Sequence, residues 1–187
     1  MILFQQMKLI EFDGLELKIA DEALLIRQIR ELFEQDKTKK KEQFWRQMSY
    51  LWFMCDPRST YQYITDETSR SLEIKAQEGF DVDWEPSDTL KEAMDIYRKH
   101  TTTTSAILLE SMRKGIDKLS TFLGDIDFNA TDRSGKPIYQ VSTMTSALKQ
   151  IPDLAKALVE AEKSLAKDFA TDENARGNAV KAVGEDI

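Results

Sequence analysis

The sequence has few of the residues that usually carry catalysis or bind metals. Its 187 residues include one cysteine, Cys55, and one histidine, His100. A single cysteine excludes an internal disulfide and a multi-cysteine zinc site, and it fits a reducing cytosol. A single histidine excludes metal clusters built on several histidines, and any Ser-His-Asp triad would have to use His100. We therefore predict a non-enzymatic protein with no catalytic residues.

Long apolar runs and glycine-rich loops are missing as well. No apolar run approaches the roughly 20 residues needed to cross a bilayer. The opening Met1-Ile2-Leu3-Phe4 lacks the length and the basic flank of a signal peptide. The 7 glycines stand singly rather than in a phosphate-binding loop. We expect no membrane partner, no cofactor, and a chain that stays in the compartment where it is made.

The net charge of −7 arises from one acidic segment. Residues 66–95 contain ten acids and three bases, so the rest of the chain is neutral. The only cluster of cations, Lys37 with Lys39 to Lys41, is bracketed by acids. We expect this cluster to be a solvated helix junction rather than a phosphate contact, and we predict no specific nucleic-acid binding.

The acidic segment contains one pattern that resembles a calcium loop. Asp81, Asp83 and Glu85 alternate with other residues, and Glu92 stands at the twelfth position. Pro86 occupies the sixth position, where glycine permits the sharp turn of a calcium loop. We therefore interpret the segment as a charged loop beside a helix and predict no metal site.

Apolar side chains recur in steps of three and four along most of the chain, which predicts a mainly α fold. Asp21 and Thr38 can cap two helices, the first ending near Asp36 and the second before Pro57. The second helix is apolar around most of its circumference, so we expect it to lie centrally. Helical character continues over residues 59–78.

The C-terminal half predicts a long antiparallel helical hairpin. After an ordered loop at residues 80–86, Ser87 or Thr89 can cap a helix that runs to Gly124, about 35 residues and roughly 50 Å. A threonine-rich run in its middle is a poor helix former. A last helix begins at Ser142 or Thr143 and carries a near-heptad apolar stripe to Phe169.

Two short alternating segments predict small β-hairpins. Residues 9–12 and 15–19 flank an Asp13-Gly14 turn, and residues 126–129 face 137–141 across a second turn. The predicted fold is a helical bundle with these two hairpins and the long helical hairpin. Its predicted parts are 1–79, an N-terminal hairpin plus helices; 80–169, the helical hairpin; and 170–187, a flexible tail.

The most specific feature of the sequence is an aromatic helix that runs into Asp56-Pro57-Arg58-Ser59-Thr60-Tyr61. Asp56 can accept hydrogen bonds from free amides, and Arg58 can pair with it or with a partner's carboxylate. One interpretation is a structural helix-turn-helix corner. The other is a subunit interface formed by Trp52, Asp56, Arg58 and Tyr61, because tyrosine, tryptophan and arginine are favoured anchors.

This corner resembles small virion proteins of tailed bacteriophages, in which an aromatic helix runs into Asp-x-Arg/Lys-Ser-Pro-Tyr. The chain is most similar to ring or head-to-tail connector proteins of crAss-like phages. The hairpin around Asp13-Gly14-Leu15-Glu16-Leu17 and the later Gly135-Lys136-Pro137-Ile138-Tyr139 also resemble that group. Thr60 stands where the group has proline.

The resemblance implies a non-enzymatic virion subunit, made in the host cytoplasm and repeated in a ring around the portal–tail axis. Its partners would be copies of itself and the portal or neighbouring connector or tail proteins, with DNA passing through the ring. The residues alone indicate a helical protein with more apolar residues at helix-face spacing than the core of one small domain needs. The alternative is a cytosolic helical adaptor or regulator that binds one partner through its acidic region.

Overall fold

The structure is a computed structural model that describes residues 9–12, 16–127, 129–139 and 141–176. These residues form a mainly α fold with one two-stranded antiparallel sheet, as the periodicity predicted. Strands β1 (Ile10–Phe12) and β2 (Leu17–Ile19) pair with Ile10 opposite Ile19. The first predicted hairpin is therefore confirmed. Its predicted Asp13-Gly14 turn lies outside the described residues.

Helix α1 (Arg27–Gln35) follows a short 3-10 helix (Asp21–Leu25), and helix α2 spans Glu42–Cys55. The junction between them is organised by Asp36. Its carboxylate accepts hydrogen bonds from the Thr38 N–H (2.9 Å) and from the Phe44 N–H (3.0 Å) in the first turn of α2. Thr38 Oγ1 accepts a bond from the Glu42 N–H (3.3 Å). Both side chains thus satisfy amides that a helix start leaves without partners.

Helix α2 lies at the centre of the main core, as its apolar circumference predicted. Its buried side chains run from Phe44 to Cys55. Helix α4 (Asp88–Thr101) packs against α1 and α2, and helix α3 (Glu67–Gln77) packs against α2. Burying one large apolar side chain contributes about 1.5–3 kcal/mol. The fully buried members of this core are Tyr50, Tyr97, Phe44, Ile10, Ile19, Ile29, Leu32, Met48, Leu51, Ile74 and Leu90.

The connection from α3 to α4 follows the sequence prediction closely. Gly79 ends the helical stretch with a left-handed backbone (φ 69°) that favours glycine. Phe80 and Trp84 hold the acidic loop against Tyr50, with ring centroids 5.5 and 4.8 Å from the tyrosine ring. Ser87 Oγ accepts a hydrogen bond from the Leu90 N–H (3.2 Å) and caps α4.

The single long helix predicted up to Gly124 is not observed, because the chain breaks after Thr101. Helix α5 (Thr104–Gly124) begins after two non-helical residues, and Thr102 is extended (φ −73°, ψ 109°). The threonine run is the physical reason, since β-branched residues lose side-chain freedom in a helix and their hydroxyls compete for backbone groups. The full-length helical hairpin is therefore not confirmed.

The second predicted β-hairpin was also wrong in the residues that are described. Residues 129–139 form a tight turn with one isolated bridge, Thr131 to Pro137. The Asp132 carboxylate accepts the Ser134 (2.7 Å) and Lys136 (3.0 Å) amide protons and fixes this turn. Val141 does not end a strand; it begins helix α6 (Val141–Arg176).

The chain divides into two compact units. The first consists of the described parts of Met1–Thr103 and Ala166–Ile187, and the second is Thr104–Leu165. The predicted boundaries were 79/80 and 169/170. Helix α4 belongs to the first unit because its apolar face completes the core around α2. Helix α6 continues from the second unit into the first and reaches Arg176, within the predicted tail, whose residues 177–187 lie outside the described part.

Candidate functional site

The corner after α2 is a compact turn formed by local hydrogen bonds. Pro57 disfavours helical geometry in the preceding residue, and Asp56 is extended (φ −76°, ψ 126°). The Ser59 N–H donates to the Asp56 carbonyl (3.0 Å). Ser59 Oγ donates to the Phe53 carbonyl (2.9 Å) and accepts the Tyr61 N–H (3.2 Å). The chain thereby reverses into a 3-10 helix, Thr60–Tyr63.

The Asp56 side chain is fully buried and accepts four hydrogen bonds within the chain. Oδ1 accepts the Arg58 backbone N–H (2.9 Å) and its Nε (2.8 Å). Oδ2 accepts Arg58 Nη2 (2.8 Å) and the Tyr97 hydroxyl (2.6 Å). Burial, and then the charge of Asp56, hold the pKa of Tyr97 well above its usual range. Tyr97 therefore remains a neutral donor to the carboxylate.

Arg58 connects this buried carboxylate to two other parts of the first unit. Nη2 also donates to the Ile10 carbonyl in β1 (2.9 Å). The guanidinium lies over the Phe169 ring of α6, 4.4 Å from its centroid, in a cation–π contact. Arg58 thus joins β1, the corner and the end of α6, while Tyr97 brings in α4. These bonds favour the structural interpretation of Asp56 and Arg58; their part in a subunit interface stays a prediction.

An open cavity of about 570 Å³ lies at the corner, with Arg58 and Thr60 in its lining. Trp52 lines it and stacks on Phe12 (centroids 5.1 Å apart). The Trp52 Nε1 is buried and has no hydrogen-bond partner among the described residues. Tyr61 packs edge-on against Phe53 (5.1 Å) and donates to Glu78 Oε1 (2.6 Å). Burial, followed by the Glu78 bond, raises the pKa of the Tyr61 hydroxyl.

The single cysteine and the single histidine lie on different helices. Cys55 ends α2 and is buried, and burial raises the pKa of its thiol to about 12. A thiol with so high a pKa stays protonated near neutral pH, whereas the nucleophile is the thiolate. His100 lies in the last turn of α4. This arrangement does not activate Cys55 as a nucleophile.

The two charged clusters of the sequence are partly used inside the fold. Glu85 of the calcium-like segment pairs with the buried Lys75 (2.6 Å), which lowers the pKa of Glu85. The described residues contain no group of three or more His, Cys, Asp or Glu side chains that could hold a metal ion. Lys41 of the cationic cluster donates to the Phe33 carbonyl (3.0 Å) at the end of α1. Neither cluster therefore presents all of its charges to a partner.

The second unit presents an apolar groove that the sequence did not assign to a site. Helices α5 and α6 both line it, and its volume is about 340 Å³. Arg113 of α5 and Glu162 of α6 pair beyond one end (3.1 Å). The lining residues are Ile116, Leu119, Ser120, Leu123, Ile151, Leu154, Ala155 and Leu158. We call these residues the arm groove.

Large apolar side chains of α5 and α6 outside the groove lining are exposed as well. Leu108 and Phe122 of α5, and Leu148 and Val159 of α6, are each about half exposed, and Val141 is more exposed still. The sequence signal for this surface was the excess of apolar residues at helix-face spacing over what one small core needs. The sequence did not show which members of the stripe would remain uncovered, because their spacing equals that of the core positions.

Sequence reasoning missed Tyr97 and Phe169 as partners of the corner. Both occupy ordinary stripe positions, so no local signal distinguished them from other core residues. Trp52, Asp56, Arg58 and Tyr61 all lie at or beside the corner, and their role as an interface stays a prediction.

No helix among the described residues has the length and apolar character to span a membrane. Comparisons of the chain with known protein families, with curated proteins and with solved structures gave no match.

Proposed function

We propose that this chain is a structural subunit of a phage portal–tail connector ring, which assembles by contacts between copies around the DNA passage. The observation that carries the proposal is the apolar surface of the second unit. Contiguous exposed apolar surface on a folded chain marks a site of protein contact. The resemblance of the corner and the two turn regions to crAss-like phage connectors supplies the kind of assembly.

The arm groove is the part of the molecule that suits contact with another protein. Its lining is almost entirely aliphatic, and a pair of helices alone leaves one side of each apolar stripe without a second layer. The groove can accept an apolar helix between α5 and α6. Such packing would cover the side chains that are exposed in the single chain.

The distribution of charge favours a second copy of the same chain as the occupant. Residues 104–165 contain eight Lys or Arg and eight Asp or Glu, so the entire −7 belongs to the rest of the chain. Copies that met through their acidic parts would repel one another, whereas two neutral arms can approach without that cost. An arm of a second copy also supplies the aliphatic helices that the groove requires.

In this proposal the acidic part of the chain takes no part in these contacts and can meet DNA or a neighbouring protein. A surface of this charge repels the DNA backbone, so DNA could pass through the ring without adhering to its wall. A basic portal or tail protein would be attracted to the same surface. In this proposal the chain is made in the host cytoplasm and is then incorporated into the virion.

Sedimentation of the purified full chain over a range of concentrations tests the proposal. We expect closed oligomers of high order that dissociate on dilution. Leu148→Lys together with Leu154→Lys should weaken assembly about thirtyfold or more, because disrupting a desolvated anchor costs about 2 kcal/mol or more.

A matched variant in the first unit controls for the added charge. Leu72 of α3 is 56% exposed and Leu148 is 50% exposed, and both are helical leucines. Leu72→Lys should assemble as the parent chain does. A parent chain that remains a monomer or dimer at every concentration, alone and with its neighbouring virion proteins, would instead support the adaptor function.

A further inference from the structure

The open cavity at the corner has a wall of three aromatic rings. Phe12 stacks on Trp52 with centroids 5.1 Å apart, and Phe53 meets both rings edge-on at 5.4 Å. Trp52 and Phe53 are buried, whereas Thr60 and Glu78 are exposed. The volume of about 570 Å³ is within the range of about 300–1,000 Å³ that is usual for ligand sites. We call this space, lined by Phe12, Trp52, Phe53, Arg58, Thr60 and Glu78, the corner cavity.

The lining of the corner cavity has one negative charge that the chain does not pair. The Arg58 guanidinium donates to both oxygens of the Asp56 carboxylate, so these two charges offset each other. Glu78 Oε1 accepts the Tyr61 hydroxyl (2.6 Å), but no cation among the described residues forms an ion pair with Glu78. A cationic group that enters the cavity is therefore attracted to this carboxylate.

The aromatic wall also includes a hydrogen-bond donor without an acceptor. Trp52 is 6% exposed, and its Nε1 has no hydrogen-bond partner among the described residues. Leaving a buried donor without a partner costs free energy, which an acceptor on a bound molecule can restore. Because Trp52 lines the cavity, a carbonyl oxygen of a ligand can be that acceptor after a small rotation of the indole ring. The cavity thus suits a ligand with a cation, an aliphatic surface and a carbonyl group.

We propose that the corner cavity binds a lysine or arginine side chain of a neighbouring protein. The aliphatic stem of the side chain packs on the aromatic wall, and its cationic group pairs with Glu78. Lysine and arginine combine these two features, since their stems cover apolar surface while their charged ends stay near water. A cation beside the aromatic rings gains a cation–π contact as well. A backbone carbonyl of the same peptide segment supplies the acceptor for the Trp52 N–H.

The charge of the chain favours a different, basic protein over a second copy as the partner. The whole net charge of −7 lies outside residues 104–165, so the parts of two copies that contain this cavity repel each other. A basic protein is attracted to the same part. In the connector ring this neighbour would be a portal or tail protein. That identification rests on the proposed function, whereas the site itself does not.

Titration of dilute full-length chain with short peptides tests the site without assembly. The probes are acetyl-Gly-Lys-Phe-Gly-amide and the matched peptide with Glu in place of Lys. The indole N–H signal of Trp52, assigned with Trp52→Phe, reports binding by nuclear magnetic resonance. We expect the Lys peptide to shift this signal saturably and the Glu peptide to bind at least tenfold more weakly. A signal that neither peptide moves, or that both move equally, would overturn the proposal.

Two amide variants separate the site from the general acidity of the chain. Glu78→Gln keeps an oxygen for the Tyr61 hydroxyl but removes the charge, so it should weaken binding of the Lys peptide about tenfold. Asp83→Asn removes an exposed carboxylate of the acidic loop and should leave the affinity unchanged. Equal weakening by both variants would mean that the peptide follows overall charge, and the site would be refuted. Thr60→Trp, which fills the cavity, should abolish binding and serves if Glu78→Gln has a reduced melting temperature.

Sedimentation of Glu78→Gln decides between a neighbouring protein and a second copy. This variant should assemble as strongly as the parent chain, because a different protein occupies the cavity. Weaker self-assembly would show that a second copy fills the cavity and would overturn the choice of partner. A parent chain that never assembles would refute the proposed function, while the peptide titration would still decide the site.

Discussion

The two compact units of this chain differ in how completely they cover their own apolar side chains. The first surrounds α2 with β1, β2, α1, α3 and α4, and it buries a continuous core that includes Phe44, Tyr50 and Tyr97. The second consists of α5, a tight turn and most of α6. Among its described residues the buried apolar side chains are few, namely Leu109, Ile126, Met144, Ala161 and Leu165.

This difference shows how one chain can separate stability from association. A layer of helices is stable when its apolar face is covered by a second layer. The first unit contains its own second layer, so substitutions there should change folding. The second unit leaves the arm groove open, so substitutions there should change association and leave the folding of the isolated chain almost unchanged.

The largest expected effect is that of Asp56→Ala in the first unit. Removing this carboxylate leaves Arg58 without its bidentate partner and Tyr97 without its acceptor. Removing one partner of a buried ion pair costs about 3–5 kcal/mol. We expect a loss of this size in urea denaturation of dilute chain, where subunit contacts do not contribute.

Two variants sharpen that measurement. Asp83→Ala removes an exposed carboxylate of the calcium-like loop and should change the free energy of unfolding by less than about 0.5 kcal/mol. Asp56→Ala combined with Arg58→Met should be less destabilising than Asp56→Ala alone, since no unpaired buried charge remains. If Asp56→Ala leaves unfolding unchanged but abolishes assembly, the corner is an interface and the contrast between the units fails.

A smaller, pH-dependent effect is expected at the α1–α2 junction. The Phe44 amide, then the Thr38 hydroxyl, lower the pKa of Asp36 from 3.8 to about 2. A carboxyl group with a depressed folded-state pKa stabilises the fold above its unfolded pKa, and this stabilisation is lost as pH falls through the folded pKa. The melting temperature of Asp36→Asn should thus lie below that of the parent chain at pH 6, and the gap should close between about pH 4 and pH 2.

Asp132 of the second unit provides a comparison for this titration. Its pKa is also lowered, first by the Ser134 hydroxyl and then by backbone amides, but it fixes only a local turn. Asp132→Asn should leave the melting temperature of the main transition unchanged at every pH. A gap for Asp36→Asn that persists undiminished at pH 2 would show that ionisation of Asp36 is not its source.

The smallest expected effect is that of arm substitutions on the stability of the isolated chain. Leu148→Lys, in dilute solution, should change the free energy of unfolding by less than about 0.5 kcal/mol, as should Leu72→Lys in the first unit. Urea denaturation followed by circular dichroism measures both. A loss of about 2 kcal/mol or more for Leu148→Lys alone would mean that this side chain belongs to a core of the free chain.

The corner illustrates how far sequence reasoning reached. The helix end before Pro57 was predicted from local rules, and the pairing of Asp56 with Arg58 was one of the two that they allowed, because both involve neighbours in the chain. The Tyr97 hydroxyl and the Ile10 carbonyl, which complete the site, lie 41 and 48 positions away from their partners. Local rules contain no information on contacts of that range, and periodicity marks Tyr97 only as a core position.

The arm was predicted less well, for a related reason. The steps of three and four correctly placed α5 and α6 on the chain, but they do not state whether a helix continues through a weak stretch. The threonine run has helix-opposing propensity, whereas the apolar stripe has helix-favouring register. These two preferences oppose each other and are of similar size. The sequence therefore does not decide whether α4 and α5 form one helix, and the tertiary structure shows two.

The sequence by itself determined the mainly helical class, the position of α2 at the centre and a capping residue at Ser87 or Thr89, because each depends on apolar periodicity or on neighbours within a few residues. The tertiary structure decided which stripe positions became core and which remained open as the arm groove. It also decided that Asp56 and Arg58 satisfy each other within the chain. These outcomes depend on which distant elements meet, and the free energy of such contacts is not encoded in any local pattern.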